Sequence, residues 1–161
     1  MMAKTNPSTI ILKGNPIYKE YPLAPLDACG NGAITPGMLV ETVSGEVRPH
    51  STLGGNASPL FAVEGLNEDS NSKTMGDIDV AYDDDNGAVK VAYCQPGDEV
   101  YALLVAGGNV AIDGLLQSSS DGYLMAYSAS SPPPLRPVAR ALEAKNNSAG
   151  TSAVRIQVEV L

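Results

Sequence analysis

Residues 154–160 alternate strictly. Val154, Ile156, Val158 and Val160 are apolar, and Arg155, Gln157 and Glu159 between them are polar. Successive side chains of a strand point to opposite faces, so this spacing predicts a strand with one buried face. The apolar run at 99–106 predicts a second strong strand. Shorter runs predict a hairpin at 38–43 and 46–48 around Ser44-Gly45, and a buried strand at 60–64. A further hairpin is predicted at 78–82 and 89–93 around an acidic turn, and another at 115–117 and 123–127. Residues 138–145 fit a strand or one or two helical turns equally well. Between these runs lie turn signals, among them Pro36-Gly37, Pro96-Gly97-Asp98 and Gly107-Gly108-Asn109. Stretches 50–58 and 65–76 read as loops, and 128–134 as a Ser/Pro linker.

The pattern recurs with an offset of 77 residues. Gly37 and Gly45 enclose seven residues, as do Gly114 and Gly122, and Ala62 and Ala139 keep the same offset. Each copy is an apolar run, a polar turn holding a glycine, and a second run, which a β-hairpin explains. The expected fold is therefore all-β: a small β-barrel, β-tulip-like or sandwich domain over residues 27–161. Residues 1–26 differ. Pro7, Pro16, Pro22 and Pro25 separate the short apolar patches at 9–12 and 17–18, so this segment is expected to be an extended arm.

Composition sharpens the picture. The chain has 161 residues, enough for one domain plus an arm. Its 16 Gly and 12 Pro interrupt it too often for long helices. The net charge of −8 disfavours nucleic acid as a partner. That charge is uneven. Residues 1–26 hold three lysines against one glutamate, a net of +2, and the remainder holds seven bases against seventeen acids, a net of −10. The N-terminal residues lack the sustained apolar stretch of a secretory leader, and the 8–12 patch is too short to span a bilayer. A soluble protein made in a cytoplasm, with no membrane partner, is expected.

Candidate chemistry is sparse. His50 is the lone histidine, follows Pro49, and reads as an exposed turn residue rather than a catalytic base. The acidic stretch Asp77, Asp79, Asp83, Asp84 and Asp85 lacks the register and closing Glu of a calcium loop. It reads as a solvated hairpin tip, with the cation reading left open. Cys29 and Cys94 read as two reduced thiols, with a disulfide left open. No elbow of the Gly-x-Ser-x-Gly type occurs, and no two of the 18 acids stand out as a hydrolase pair. The expectation is a protein that is not an enzyme and needs no cofactor or metal.

The order Ile34-Thr35-Pro36-Gly37-Met38-Leu39-Val40-Glu41, Leu60-Phe61-Ala62-Val63-Glu64, Gln95-Pro96-Gly97-Asp98-Glu99-Val100, Ile112-Asp113-Gly114-Leu115-Leu116, Asp121-Gly122-Tyr123-Leu124, Ala139-Arg140-Ala141-Leu142-Glu143-Ala144 and Val154-Arg155-Ile156-Gln157-Val158 resembles the capsid decoration, or cement, proteins of tailed bacteriophages. The resemblance covers about residues 33–161 and rests on turn-and-strand patterns. The long acidic 65–90 segment departs from it. The resemblance implies a virion protein on the outer capsid surface, a homotrimer, that bridges major capsid protein subunits and stabilises the shell. On that reading the arm docks on the capsid through Ile10, Ile11, Leu12, Ile17 and Tyr18. The alternatives are another phage head or tail component, such as a head fibre base, and a carbohydrate-binding β module. Such a module would gather several of Tyr18, Tyr21, Tyr82, Tyr93, Tyr101, Tyr123 and Tyr127 on one exposed face.

Overall fold

A computed structural model describes residues 6–25, 33–65, 77–82, 88–129 and 136–161. These are all-β, with no helix among the described residues. The strands are β1 (Ile11–Lys13), β2 (Ile17–Tyr21), β3 (Val40–Val43), β4 (Glu46–Pro49), β5 (Leu60–Ala62), β6 (Val89–Tyr93) and β7 (Glu99–Leu104). They continue with β8 (Asn109–Val110), β9 (Leu115–Ser118), β10 (Leu124–Ala126), β11 (Ala139–Ala141), β12 (Lys145–Asn146) and β13 (Val154–Val160).

Five strands close a barrel in the order β7-β10-β9-β11-β13, with β13 returning to β7. The alternating C-terminal strand is its interior member, paired antiparallel with β7 from Val154↔Leu104 to Glu159↔Glu99 and with β11 on its other edge. Ile156, Val158 and Val160 face inward with Val100, Ala102, Leu104, Leu116, Leu124, Ala139 and Ala141. Alanines at three of these positions fit the narrow interior of a small barrel. The open choice at 138–145 resolves as two strands. β11 lies between β9 and β13, and β12 pairs with β8.

The other strands build a second, smaller unit. β2, β6 and β5 form one sheet, and β3 and β4 form a hairpin. Leu39↔Phe61 joins the hairpin to β5, and Leu23↔Val47 joins β4 to the chain just beyond β2. These pairings run once round a ring. The two-residue loop of the hairpin has φ +54° at Ser44 and +87° at Gly45, the left-handed pair that suits the twist of an antiparallel ribbon. The sheet β2-β6-β5 divides two cores. Phe61 and Ala92, directly opposed, face the barrel core. Leu60, Ala62, Val89 and Val91 face the second core with Ile34, Val40 and Val47.

The repeated segments occupy matching places. β9-β10 with β11 in the barrel correspond to β3-β4 with β5 in the smaller unit. Leu116, 77 residues after Leu39, pairs with Ala139, while Leu39 pairs with Phe61, so the copies differ by one residue in register.

Two expectations are corrected. Residues 78–82 are not a strand of a hairpin with β6. Ile78-Asp79 is a turn, and Tyr82 makes one bridge, to Ile34. The reason is that both edges of β6 are taken, by β2 and by β5. The connecting acidic residues 83–85 lie outside the described residues. The N-terminal segment, in turn, is not an arm apart from the body. β1 pairs with β7, β2 pairs with β6, and Ile10 is buried in the barrel core. The prolines sit between these pieces and at their ends, where no ladder donor is needed. The expected domain boundary at 26–27 falls outside the described residues.

Two outcomes follow for stability. Ile156→Ala should lower unfolding free energy by about 2–5 kcal/mol, read from the denaturant midpoint. Removing residues 1–25 should lower it by at least about 2 kcal/mol, the burial of Ile10 alone. An unchanged thermal midpoint in the shortened chain would place the segment outside the cooperative fold.

Candidate functional site

Two places combine exposure or buried polarity with defined geometry. The first is β2. Four of its five residues are exposed, and Ile17 (60 %) and Tyr18 (46 %) are among the most exposed large apolar side chains among the described residues. One edge of β2 pairs with β6 from Ile17↔Tyr93 to Tyr21↔Val89. Along its other edge no ladder partner occurs among the described residues until Pro22 and Ala24, whose backbone groups bond to Val47 at 3.0 and 2.9 Å.

Charged and aromatic groups alternate across this strand. The Lys90 ammonium lies 4.7 Å from the ring centre of Tyr18 on one face, where Glu20 stands opposite Lys90. On the other face Lys19 lies 5.0 Å from the ring centre of Tyr93, and the hydroxyls of Tyr21 and Tyr93 hydrogen-bond. Cation–π contacts of this kind hold exposed side chains in one geometry at about 0.5–1 kcal/mol each. The strand is thus presented in a set conformation.

The five arm residues divide. Ile10 is wholly buried, and Ile11 and Leu12 are half-buried against the barrel core. Only Ile17 and Tyr18 are free to meet another molecule. No pattern in the sequence separates them, because burial depends on which sheet each patch joins. The tyrosines divide too. Tyr82 and Tyr101 are buried, and Tyr21, Tyr93 and Tyr123 pack partly against the second core. Tyr18 alone among the tyrosines appears as an exposed large ring, so they form no shared platform.

The second place surrounds His50, and here the sequence reading fails. His50 is 4 % exposed, not a solvent-facing turn residue. It ends the β3-β4 hairpin, and the loop from β9 to β10 folds over it. Its Nδ1 is 2.7 Å from Ser118 Oγ, and its Nε2 is 4.0 Å from Glu41 Oε2. Glu41 Oε1 accepts from Arg48 Nε (2.8 Å) and Ser51 Oγ (2.6 Å). Burial pushes the imidazole pKa below its ordinary value; Glu41 opposes this and Arg48 adds to it. Burial would raise the Glu41 carboxyl, but the hydrogen bonds from Ser51 and Arg48, with His50 nearby, hold it below its usual value.

A serine, an imidazole and a carboxylate in line are the parts of a nucleophilic site. The geometry here serves packing. Ser118 is 1 % exposed, so its oxygen has no access for a substrate in this conformation. Ser118 Oγ also accepts the Ser120 N–H at 3.2 Å. Around it, Gly122 N–H bonds to His50 O (3.2 Å), Leu39 N–H to Gly122 O (2.8 Å) and His50 N–H to Leu39 O (3.0 Å). The loop is pinned to the hairpin by both side chain and backbone.

Other candidates are placed as follows. Cys94 is buried, and its thiol is pushed up to about 12 by burial and then by Asp98, so it is neutral and unreactive near pH 7. Cys29 and Asp83, Asp84 and Asp85 lie outside the described residues, and no group of metal-ligating side chains occurs among the described ones. Asp79 instead accepts from Arg155 Nη2 at 3.3 Å. Gly14 (φ +115°) lies against buried Asp98, whose carboxylate would meet any Cβ there.

Gly122 and Gly45, matched by the repeat, provide a controlled comparison. Both have φ near +85°, but a Cβ at Gly122 would lie 3.0 Å from Pro49 Cβ, and one at Gly45 meets nothing within 4 Å. Gly45→Ala should cost about 1 kcal/mol of backbone strain, and Gly122→Ala clearly more, by thermal melts of the two variants. Equal losses would mean that the loop does not press on the hairpin. No protein-family model matches the chain and no curated protein matches it, so the functional reading rests on these residues.

Proposed function

We propose that this protein is a structural component of a tailed-phage virion that binds the outer surface of the assembled capsid, bridges major capsid protein subunits and stabilises the shell. The observation that carries the reading is β2, a strand held firmly on the body with no ladder partner along one edge among the described residues and with Ile17 and Tyr18 exposed. It stands beside the sequence resemblance to decoration proteins. An open strand edge accepts a strand from a partner, with backbone bonds supplying affinity and side chains supplying choice. Lys19 and Lys90 on a chain of net charge −8 favour an acidic stretch on that partner.

The fold changes how such a dock works. Ordering a free arm costs about 1–2 kcal/mol per residue in backbone entropy. Here residues 17–21 are already a strand, so that cost falls on folding and not on binding. Three linked copies, the homotrimer implied by the resemblance, then multiply modest contacts into avidity. The function asks for no catalysis and no cofactor.

Ile17→Asp with Tyr18→Asp should weaken co-sedimentation with assembled shells by roughly tenfold or more, as for loss of an aromatic anchor. Leu53→Asp, at another exposed apolar position, should leave it unchanged. Binding that survives the double change would move the dock elsewhere. Wild-type protein that never sediments with shells would end the capsid reading. Multi-angle light scattering at micromolar concentration should give the mass of a trimer, and a strict monomer, both free and on shells, would rule that part out.

A further inference from the structure

His50 lies where the two units meet. Its backbone belongs to the end of the β3-β4 hairpin, and its ring reaches Ser118 at the end of barrel strand β9. Ser118 Oγ accepts the Ser120 N–H and keeps both a lone pair and its own hydrogen for Nδ1, so the neutral ring bonds to Ser118 in either tautomer. Nε2 faces the Glu41 carboxylate across 4.0 Å.

A second ring proton puts a full charge into a site where His50 is 4 % exposed and the nearest carboxylate oxygen, Glu41 Oε2, lies beyond hydrogen-bond distance of Nε2. The charged groups facing the ring divide in sign. From β3, Glu41 attracts the added charge, but Arg48 and Ser51 already occupy its Oε1 and the 4.0 Å gap to Nε2 exceeds a hydrogen bond. From β4, Arg48 repels it. From β9 and its turn come uncharged Ser118 and Ser120, while Asp121 is engaged by the Ser119 hydroxyl and, at 3.4 Å, by the Tyr123 N–H.

We propose that His50 is an acid-sensitive latch. The neutral ring locks the β9–β10 loop of the barrel onto the β3-β4 hairpin, and protonation releases it. The sign follows from linkage. The folded protein holds the ring below its ordinary value of 6.5, so the unfolded or opened form binds the proton more readily. The latch is fully closed in its effect above pH 6.5 and weakens as pH falls below that value, reaching its limit below the folded midpoint. Glu41, held below 4.5, gives up its contribution only in more acid solution, so the window between about 6.5 and 4.5 reports His50.

Because the chain has a single histidine, its ring signal in a heteronuclear NMR titration of the wild-type protein is unambiguous. The expected midpoint lies below 6.5, each unit of depression corresponding to about tenfold in favour of the opened form at low pH. Amide protection factors at Leu39 and Gly122 should fall between pH 7 and pH 5, while those at Ala102 and Ile156 in the barrel hold. His50→Asn, whose amide oxygen stands at the Nδ1 position for Ser118 but cannot titrate, should abolish that fall. A midpoint at or above 6.5, protection independent of pH, or an unchanged fall in His50→Asn would each overturn the latch. If the variant does not fold, the wild-type titration and protection data decide alone.

Discussion

Strand β5 and the stretch of β6 paired with it have to be apolar on both faces, and the rest of the structure is arranged around that demand. Phe61 and Ala92 fill the barrel core, while Leu60, Ala62 and Val91, one residue along, fill the second core. A one-residue slip would exchange the two sets. It would press Phe61 into a space shaped for Leu60 and Ala62. The shared sheet therefore sets the register of both units at once. It also removes the choice that a strand with one polar face retains.

From this sheet the other contacts follow. Leu39↔Phe61 brings the β3-β4 hairpin onto β5, and the hairpin carries His50 to the barrel's Ser118. Arg155 makes a parallel connection: from barrel strand β13 it reaches Pro36 O and Ile78 O, and its guanidinium lies 5.8 Å from the ring centre of Tyr101. A half-buried arginine with carbonyl partners keeps its charge solvated largely by the protein itself. Two separate polar bridges thus link units whose cores already share a wall. The N-terminal segment completes the arrangement, with β1 on the barrel and β2 on the smaller sheet. One chain segment spans both.

This wiring leaves β2 lying on the outside of the body. Among the described residues its ladder partners lie on one edge, and its side chains rest on the body instead of entering it. Exposed edges are ordinarily blunted by charge or twist. Lys19 does so against the same strand of a second copy. Antiparallel self-pairing centred on that residue would oppose like charges, which disfavours a two-fold dimer through β2 and leaves the edge for a different surface.

Much of the strand content was legible in the chain. Strict alternation at 154–160 specified a strand whatever it packed against, since only a period of two puts four β-branched residues on one face. The Ser44-Gly45 turn and the hairpin at β9-β10 were equally local, because turn chemistry acts over a few residues. The repeat marked the hairpins that lie in matching places. The partners of each strand were not legible. Residues 78–82 had the pattern of a strand but no free edge to join, and the proline-broken N-terminal patches had the pattern of an arm but two sheets to join. Ile10 and Ile17 are the same residue type in similar settings, yet one is core and the other is the outermost part of the candidate surface. His50 carried no local sign of burial, since the loop that covers it comes from residues about 70 positions away. The sequence by itself determined elements such as β13 and the hairpins β3-β4 and β9-β10, whose causes lie within a few residues. The tertiary structure alone decided pairing and burial, because both depend on long-range contacts that local pattern does not encode.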